Sequence, residues 1–89
     1  MKITYDKTKN EKNIRERGLS FDSVQQCDWE LAIIWPDTRK EYGEKRYSAL
    51  LPRFGRIYAV TFTWRRGQMR IISFRKANAR EVKRYEKEA

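Results

Sequence analysis

Apolar residues are sparse in the first third of the chain and gather into runs from Leu31 onward. Lys2 to Tyr5 alternates polar and apolar positions and predicts a short edge strand. Asp6 is placed to cap a helix running to about Arg17, with Gly18 as its stop. Ile14 is the sole aliphatic residue of that helix, so the pattern predicts only slight burial for it. Ser20 caps a second, short helix ending near Cys27. Leu31 to Trp35 is a compact apolar run that reads as a strand, closed by Pro36-Asp37. Gly43 to Leu50 is a weaker strand and Pro52 to Gly55 a turn. Arg56 to Trp64, β-branched and aromatic, is the strongest strand, and Gln68 to Phe74 follows it, with Arg66-Gly67 at the tip of a tight hairpin. Asn78 and Glu81 have capping-box spacing and open a last helix, with Val82 and Tyr85 on one side of it.

A two-residue loop sets the register of that hairpin. Trp64 then faces Met69, Phe62 faces Ile71 and Val60 faces Ser73, forming one apolar face. Thr61, Thr63, Arg65, Arg70, Ile72 and Phe74 fall on the other, more polar face. This register puts Arg65 and Arg75 on opposite faces, unless a bulge shifts the pairing or Arg75 has already left the strand. The order of short strand, two helices, four strands and helix predicts an α+β fold. It would be a single domain over residues 1–89, a small antiparallel sheet with helices packed on one face.

Charge adds a partner to this picture. The formal net charge is +9, and it is unevenly placed: net +1 over residues 1–51 and net +8 over residues 52–89. Self-repulsion of this size favours an anionic partner over a merely solvated surface, with nucleic acid or an acidic protein as the classes. Aromatics at 13% argue against disorder despite 37% charged residues. Cys27 is the sole cysteine and there is no histidine, which excludes an internal disulfide and a Cys/His metal cluster. Cys27 reads as a small buried residue rather than a nucleophile, because it has no histidine to activate it. With neither an apolar signal segment nor an apolar run long enough to span a bilayer, a cytoplasmic protein is expected.

The missing histidine also removes serine and cysteine triads, and no Gly-rich phosphate cradle ending in Lys-Ser/Thr occurs. An array of Arg, Lys and Tyr remains. RNA carries its own nucleophile, the 2′-hydroxyl, so a protein need only align it, stabilise the phosphate charge and assist proton transfer. Arg suits the second task through its planar fork; Lys, Tyr or a carboxylate suits the third. By composition alone, a basic sheet with aromatics fits passive RNA binding equally well.

Several segments, in order, carry a resemblance. They are Tyr5-Asp6 with Lys9 and Asn13; Arg17-Gly18-Leu19-Ser20-Phe21; Gly43-Glu44-Lys45-Arg46-Tyr47; Phe62-Thr63-Trp64-Arg65; Arg70-Ile71-Ile72-Ser73-Phe74-Arg75-Lys76-Ala77; and Glu81 with Tyr85. Together they resemble the BrnT family of bacterial type II toxins, over almost the whole chain. The chain departs from the family pattern where Arg17 replaces a frequent His, where Asp37-Thr38-Arg39 has none, and where Phe74 replaces a small residue. The resemblance implies a RelE-like fold, with RNA on the concave side of a curved sheet, and a metal-independent endoribonuclease without cofactor. It further implies a cognate BrnA-like antitoxin with a DNA-binding part, in a toxin–antitoxin hetero-oligomer.

Carried over, Arg46, Arg65 and Arg75 become candidate phosphate and transition-state contacts. Lys76 and Tyr85 become proton-transfer or positioning groups, and Glu44 a general-base candidate. Arg66, Arg70, Lys9 and Arg17 extend the set as RNA-binding residues. Each has a structural alternative: Arg46 paired to Glu44, Arg65 a hairpin-tip charge, Arg75 and Lys76 solvating a strand end, Tyr85 in a core. The alternative function is a non-catalytic basic RNA- or DNA-binding module, and a third is an interaction protein that uses its basic face to hold an acidic partner.

Overall fold

A computed structural model describes residues 1–89. In chain order it contains β1 (Ile3–Tyr5), α1 (Lys7–Arg17), two 3₁₀ segments (Phe21–Gln26 and Trp29–Leu31), β2 (Ile33–Pro36), β3 (Arg46–Arg53), β4 (Arg56–Arg65), β5 (Gln68–Lys76) and α2 (Ala79–Glu88). The caps sit where the sequence puts them. The Asp6 carboxylate accepts the Lys9 N–H at 3.0 Å, and Gly18 closes α1 at φ 68°, in the left-handed region that glycine enters freely. Asn78 and Glu81 exchange side-chain bonds with each other's backbone N–H at 2.9 Å, completing the capping box of α2. The second helix is 3₁₀ rather than α, with Ser23 and Cys27 N–H groups bonding three residues back. Leu31 belongs to the second 3₁₀ segment, so β2 starts two residues later than the apolar run suggests.

The strands form one sheet in the order β1-β5-β4-β3-β2. Pairing is antiparallel throughout, except that β1 runs parallel to β5. The β4–β5 hairpin begins in the expected register, Trp64 opposite Met69 and Phe62 opposite Ile71. A bulge then intervenes: Thr61 pairs with Ser73, Val60 with Phe74 and Ala59 with Arg75, leaving Ile72 as the extra residue. The expected Val60–Ser73 pair is thereby corrected. Without the slip Phe74 would stand on the polar face. With it Phe74 is fully buried, its ring centroid 5.4 Å from that of Tyr58. Burying a large apolar side chain is worth about 1.5–3 kcal/mol, more than one disturbed ladder bond costs.

The main core lies between the sheet and the N-terminal segments. Phe21, Val24 and Leu19 pack there against Leu51, Val60, Phe62, Ile71 and Phe74. α1 contributes little apolar surface; Ile14 is 44% exposed. Two buried asparagines hold it instead. Asn10 Oδ1 accepts the Phe21 N–H at 2.7 Å, and Asn13 Nδ2 donates to the carbonyls of Leu19 and Phe74, both at 2.9 Å.

The expectation of helices on one face is also corrected. Leu50 and Ala59 are buried but alternate away from the main core, and α2 lies on their side. Arg75 of β5 bonds Glu81 of α2, the Arg84 guanidinium lies 3.8 Å from the Trp35 ring centroid, and the Tyr85 hydroxyl donates to the Leu31 carbonyl at 2.6 Å. The last helix is tethered chiefly by polar groups, which the apolar pattern underlying the one-face reading does not register. No helix is long and apolar enough to cross a membrane.

Candidate functional site

α2 covers only part of the second face of the sheet. On the remainder, strand register lines up side chains in rows. One row is Arg46–Thr63–Arg70–Thr4; the next is Trp35–Ser48–Thr61–Ser73; the third is Ile33–Leu50–Ala59–Arg75. Successive rows are about 6.8 Å apart along the strands. A lane of hydroxyls therefore runs between arginines on both sides, and Arg65 stands one row beyond Arg46. The bulge at Ile72 creates this arrangement, because the unshifted register would send Arg75 to the opposite face.

Glu44, in the turn before β3, joins two of the arginines. Its Oε2 accepts from Arg46 Nε and its Oε1 from Arg65 Nη2, each at 3.1 Å. The bonds from Arg65 and then Arg46 hold its carboxyl below the usual carboxylate range, so it is ionised and a weak proton acceptor near neutrality. The Arg46 guanidinium also lies 4.2 Å from the Tyr42 ring centroid, in a cleft of about 460 Å³ that Lys40, Glu44 and Tyr47 share. Arg70 Nη1 reaches the Thr4 hydroxyl at 3.4 Å, and with Arg65 and Arg66 it lines a polar recess at the hairpin tip.

A second cleft, about 220 Å³, opens beside α2. Trp35, Arg39, Ser48, Thr61, Arg75 and Arg84 line it together with Glu81. Each arginine is aimed by a carboxylate. Arg75 is bidentate on Glu81 at 2.7 and 2.9 Å, Arg84 meets Glu88 at 2.7 Å, and Arg39 meets Asp37 through Nε and Nη2, both at 2.8 Å. Forks fixed this way lose little rotamer freedom when they meet a planar or tetrahedral oxyanion. The hydrogen bonds from Arg75 keep Glu81 ionised, with its pKa lowered, and raise that of Arg75 in return.

Asp37 anchors the loop that carries Arg39. Its side chain is 1% exposed, and it also accepts the Tyr42 hydroxyl at 3.1 Å. The hydrogen bonds from Arg39, chiefly, pull its pKa down to about 2 from 3.8. A depressed folded-state pKa means stability that is fully present above the unfolded value and lost as pH falls from about 4 toward about 2. Urea titrations between pH 2 and 5 should therefore show wild-type stability falling more steeply than that of Asp37→Asn; parallel curves would remove this assignment.

The structure joins Arg46, Arg65 and Glu44 and sets Arg70 and Arg75 on the same face, with Arg66 at the adjoining hairpin tip. It does not bring the rest. Lys76 alternates to the other face, opposite Tyr58. Tyr85 is engaged by the Leu31 carbonyl, and Lys9 and Arg17 line a shallow recess over α1 with Ile72. The cleft beside α2 adds Arg39, Arg84, Trp35, Ser48 and Thr61, which no sequence pattern singles out as a group. Ser48 and Thr61 were legible as the period-two continuation of Arg46 and Thr63. Arg39 is placed locally, by Asp37 two residues before it, whose carboxylate also accepts the Arg39 N–H at 3.3 Å.

Between Glu44 and Glu81 the chain contains no acidic residue, so all of β3, β4 and β5 is positively charged or neutral. His, Cys, Asp and Glu nowhere gather in a group of three that could hold a metal ion. A basic sheet of this form matches, over residues 5–81, the family model described as the ribonuclease toxin, BrnT, of type II toxin-antitoxin systems. The chain belongs to the BrnT family. No curated protein matches it. The BrnT match takes in the three rows from β2 to β5 and Glu81, and leaves Arg84 and Tyr85 outside. As a BrnT toxin the chain has RNA as its substrate and an antitoxin as its partner.

Proposed function

We propose that the open face binds single-stranded RNA and cleaves it at the hydroxyl lane without a metal ion. The observation that carries this is the bulge-dependent alignment of Arg46 and Arg70 on one side of Ser48–Thr61–Ser73 and Arg75 on the other. Arg46, Arg65, Arg66 and Arg70 hold flanking phosphates. Arg75, aimed by Glu81, and Arg39, aimed by Asp37, meet the phosphate that reacts. The substrate's 2′-oxygen attacks its own phosphorus and gives its proton to solvent; the P–O5′ bond breaks as the cyclic phosphate forms, and the leaving 5′-oxygen takes a proton from solvent. The arginines stabilise the charge that builds on the non-bridging oxygens. Glu44 acts as a positioning residue for Arg46 and Arg65 rather than as the base, given its lowered pKa. The antitoxin is BrnA-like, with a DNA-binding part, and assembles with the toxin in the cytoplasm as a hetero-oligomer.

The test is cleavage of single-stranded RNA by purified protein with chelator present. Wild-type protein is expected to cut, leaving a cyclic phosphate. Glu44→Gln is expected to keep cleavage within several-fold and to tighten RNA binding at low salt. Salt-dependent binding without cleavage would leave a non-catalytic RNA-binding module. Loss of all cleavage in Glu44→Gln would return that carboxylate to the role of base.

A further inference from the structure

The β3–β4 hairpin tip lies outside the rows described above. Its two central residues are Phe54 at φ 49° and Gly55 at φ 75°. Positive φ at both positions suits a tight turn whose usual first residue is Asn, which tolerates the left-handed region. A bulky side chain there is strained, so a Phe in that place has a reason beyond the turn. The main core does not supply that reason. Phe54 is 85% exposed, the most exposed large apolar side chain of the protein.

What surrounds the ring is cationic. Arg53 and Arg56 pair across the turn, and the Arg53 guanidinium lies 5.0 Å from the Phe54 centroid. Arg53 is itself fixed, with Nη2 on Gln26 Oε1 at 3.0 Å and the Tyr58 ring 5.8 Å away. An exposed aromatic beside a fixed arginine, in a stretch without acidic residues, has the chemistry of a stacking platform for a nucleobase. Two arginines flanking the turn favour an anionic partner.

We propose that Phe54 stacks a base of the same single-stranded RNA, beyond the cleaved phosphodiester, with Arg56 on the adjoining phosphate. This rests on RNA being the ligand of the open face. The straight distance from Thr61 to the tip, five residues of β4, is about 17 Å, and because α2 lies over the buried Leu50–Ala59 row between them the RNA strand must pass around α2. Only an RNA long enough to cover that distance engages both places.

The experiment uses two 2′-O-methyl oligouridylates, which lack the attacking hydroxyl. One is too short to span the distance and one is longer. Phe54→Asn is the informative variant, because Asn relaxes the turn. Its melting temperature is expected to equal or exceed that of wild type. Its affinity for the longer strand is expected to fall about tenfold, with unchanged salt slope and unchanged affinity for the short strand. Phe54→Trp should restore binding and Phe54→Leu should not. Equal binding of the longer strand by wild type and Phe54→Asn overturns the proposal and leaves the open face untouched. Rescue by Leu, which has no ring to stack, overturns it, and loss of antitoxin binding with RNA binding intact overturns it in favour of a protein contact. A wild-type protein that binds neither strand overturns both this proposal and the reading it rests on.

Discussion

Arg75→Ala is expected to lower RNA cleavage about 10²–10³-fold while the protein stays folded, the usual cost of removing one positioned donor to a developing oxyanion. Arg75 differs from the other basic residues of the face. Both its fork nitrogens are fixed on Glu81, at 2.7 and 2.9 Å, and the bulge turns it toward the hydroxyl lane. A phosphate oxygen meeting this guanidinium finds it already aimed, so the benefit falls on the transition state. The loss should therefore appear in the single-turnover rate at saturating protein more than in affinity. Arg75→Lys keeps the charge but not the fork and should recover only a small part. Glu81 retains its bond to the Asn78 N–H when Arg75 is removed, which keeps the start of α2 capped. Circular dichroism and melting of Arg75→Ala should stay close to wild type. Cleavage within about threefold of wild type would exclude Arg75 from the reaction.

Asn13→Ala should cost stability heavily, although Asn13 lies in the least apolar helix. Its amide is the shared partner of two carbonyls, those of Leu19 and Phe74, and it is buried. Alanine leaves both carbonyls without a donor. At about 1–3 kcal/mol for each of two buried groups left unpaired, the cost is about 2–6 kcal/mol, its lower half if water reaches either carbonyl. For a domain of this size that lower half corresponds to a drop in Tm of about 10–20 °C. Asn13→Asp should be no better, since it sets an acceptor against two acceptors. The Phe74 carbonyl immediately precedes Arg75, so the same substitution loosens the bulged segment. Thermal melts in parallel with cleavage assays below the melting range check both effects; a Tm within about 3 °C of wild type would show that water replaces the amide at no cost.

These two residues mark what the sequence discloses and what it hides. Caps, strand positions and the Arg66-Gly67 hairpin were legible because each depends on neighbours in the chain. The register of Trp64–Met69 and Phe62–Ile71 followed from loop length and alternation. The bulge did not, because two adjacent isoleucines fit either register locally. The choice is made by the pocket that Tyr58 and the N-terminal segments offer Phe74. The placement of α2 was equally hidden. It depends on single bonds such as that of Tyr85 to Leu31, which joins distant segments and leaves no periodic trace. The candidate site shows the same division. Arg46, Arg65 and Glu44 converge through adjacent strands, whereas Lys76, opposite Tyr58 once the bulge has shifted the register, faces away from them.

The parallel pairing of β1 with β5 has a kinetic consequence. β3, β4 and β5 form a meander of neighbouring hairpins that closes through short loops, while β1 must find a partner more than sixty positions along the chain. Closing such a loop costs about 3–4 kcal/mol in chain entropy, recovered from only three paired residues. β1 is thus expected to dock last in folding and to detach first in the native state. Backbone amides of Met69 to Ile71 that face β1 should exchange with solvent well before those at the β3–β4 seam. Each such opening bares an apolar strand edge able to recruit a strand from another molecule.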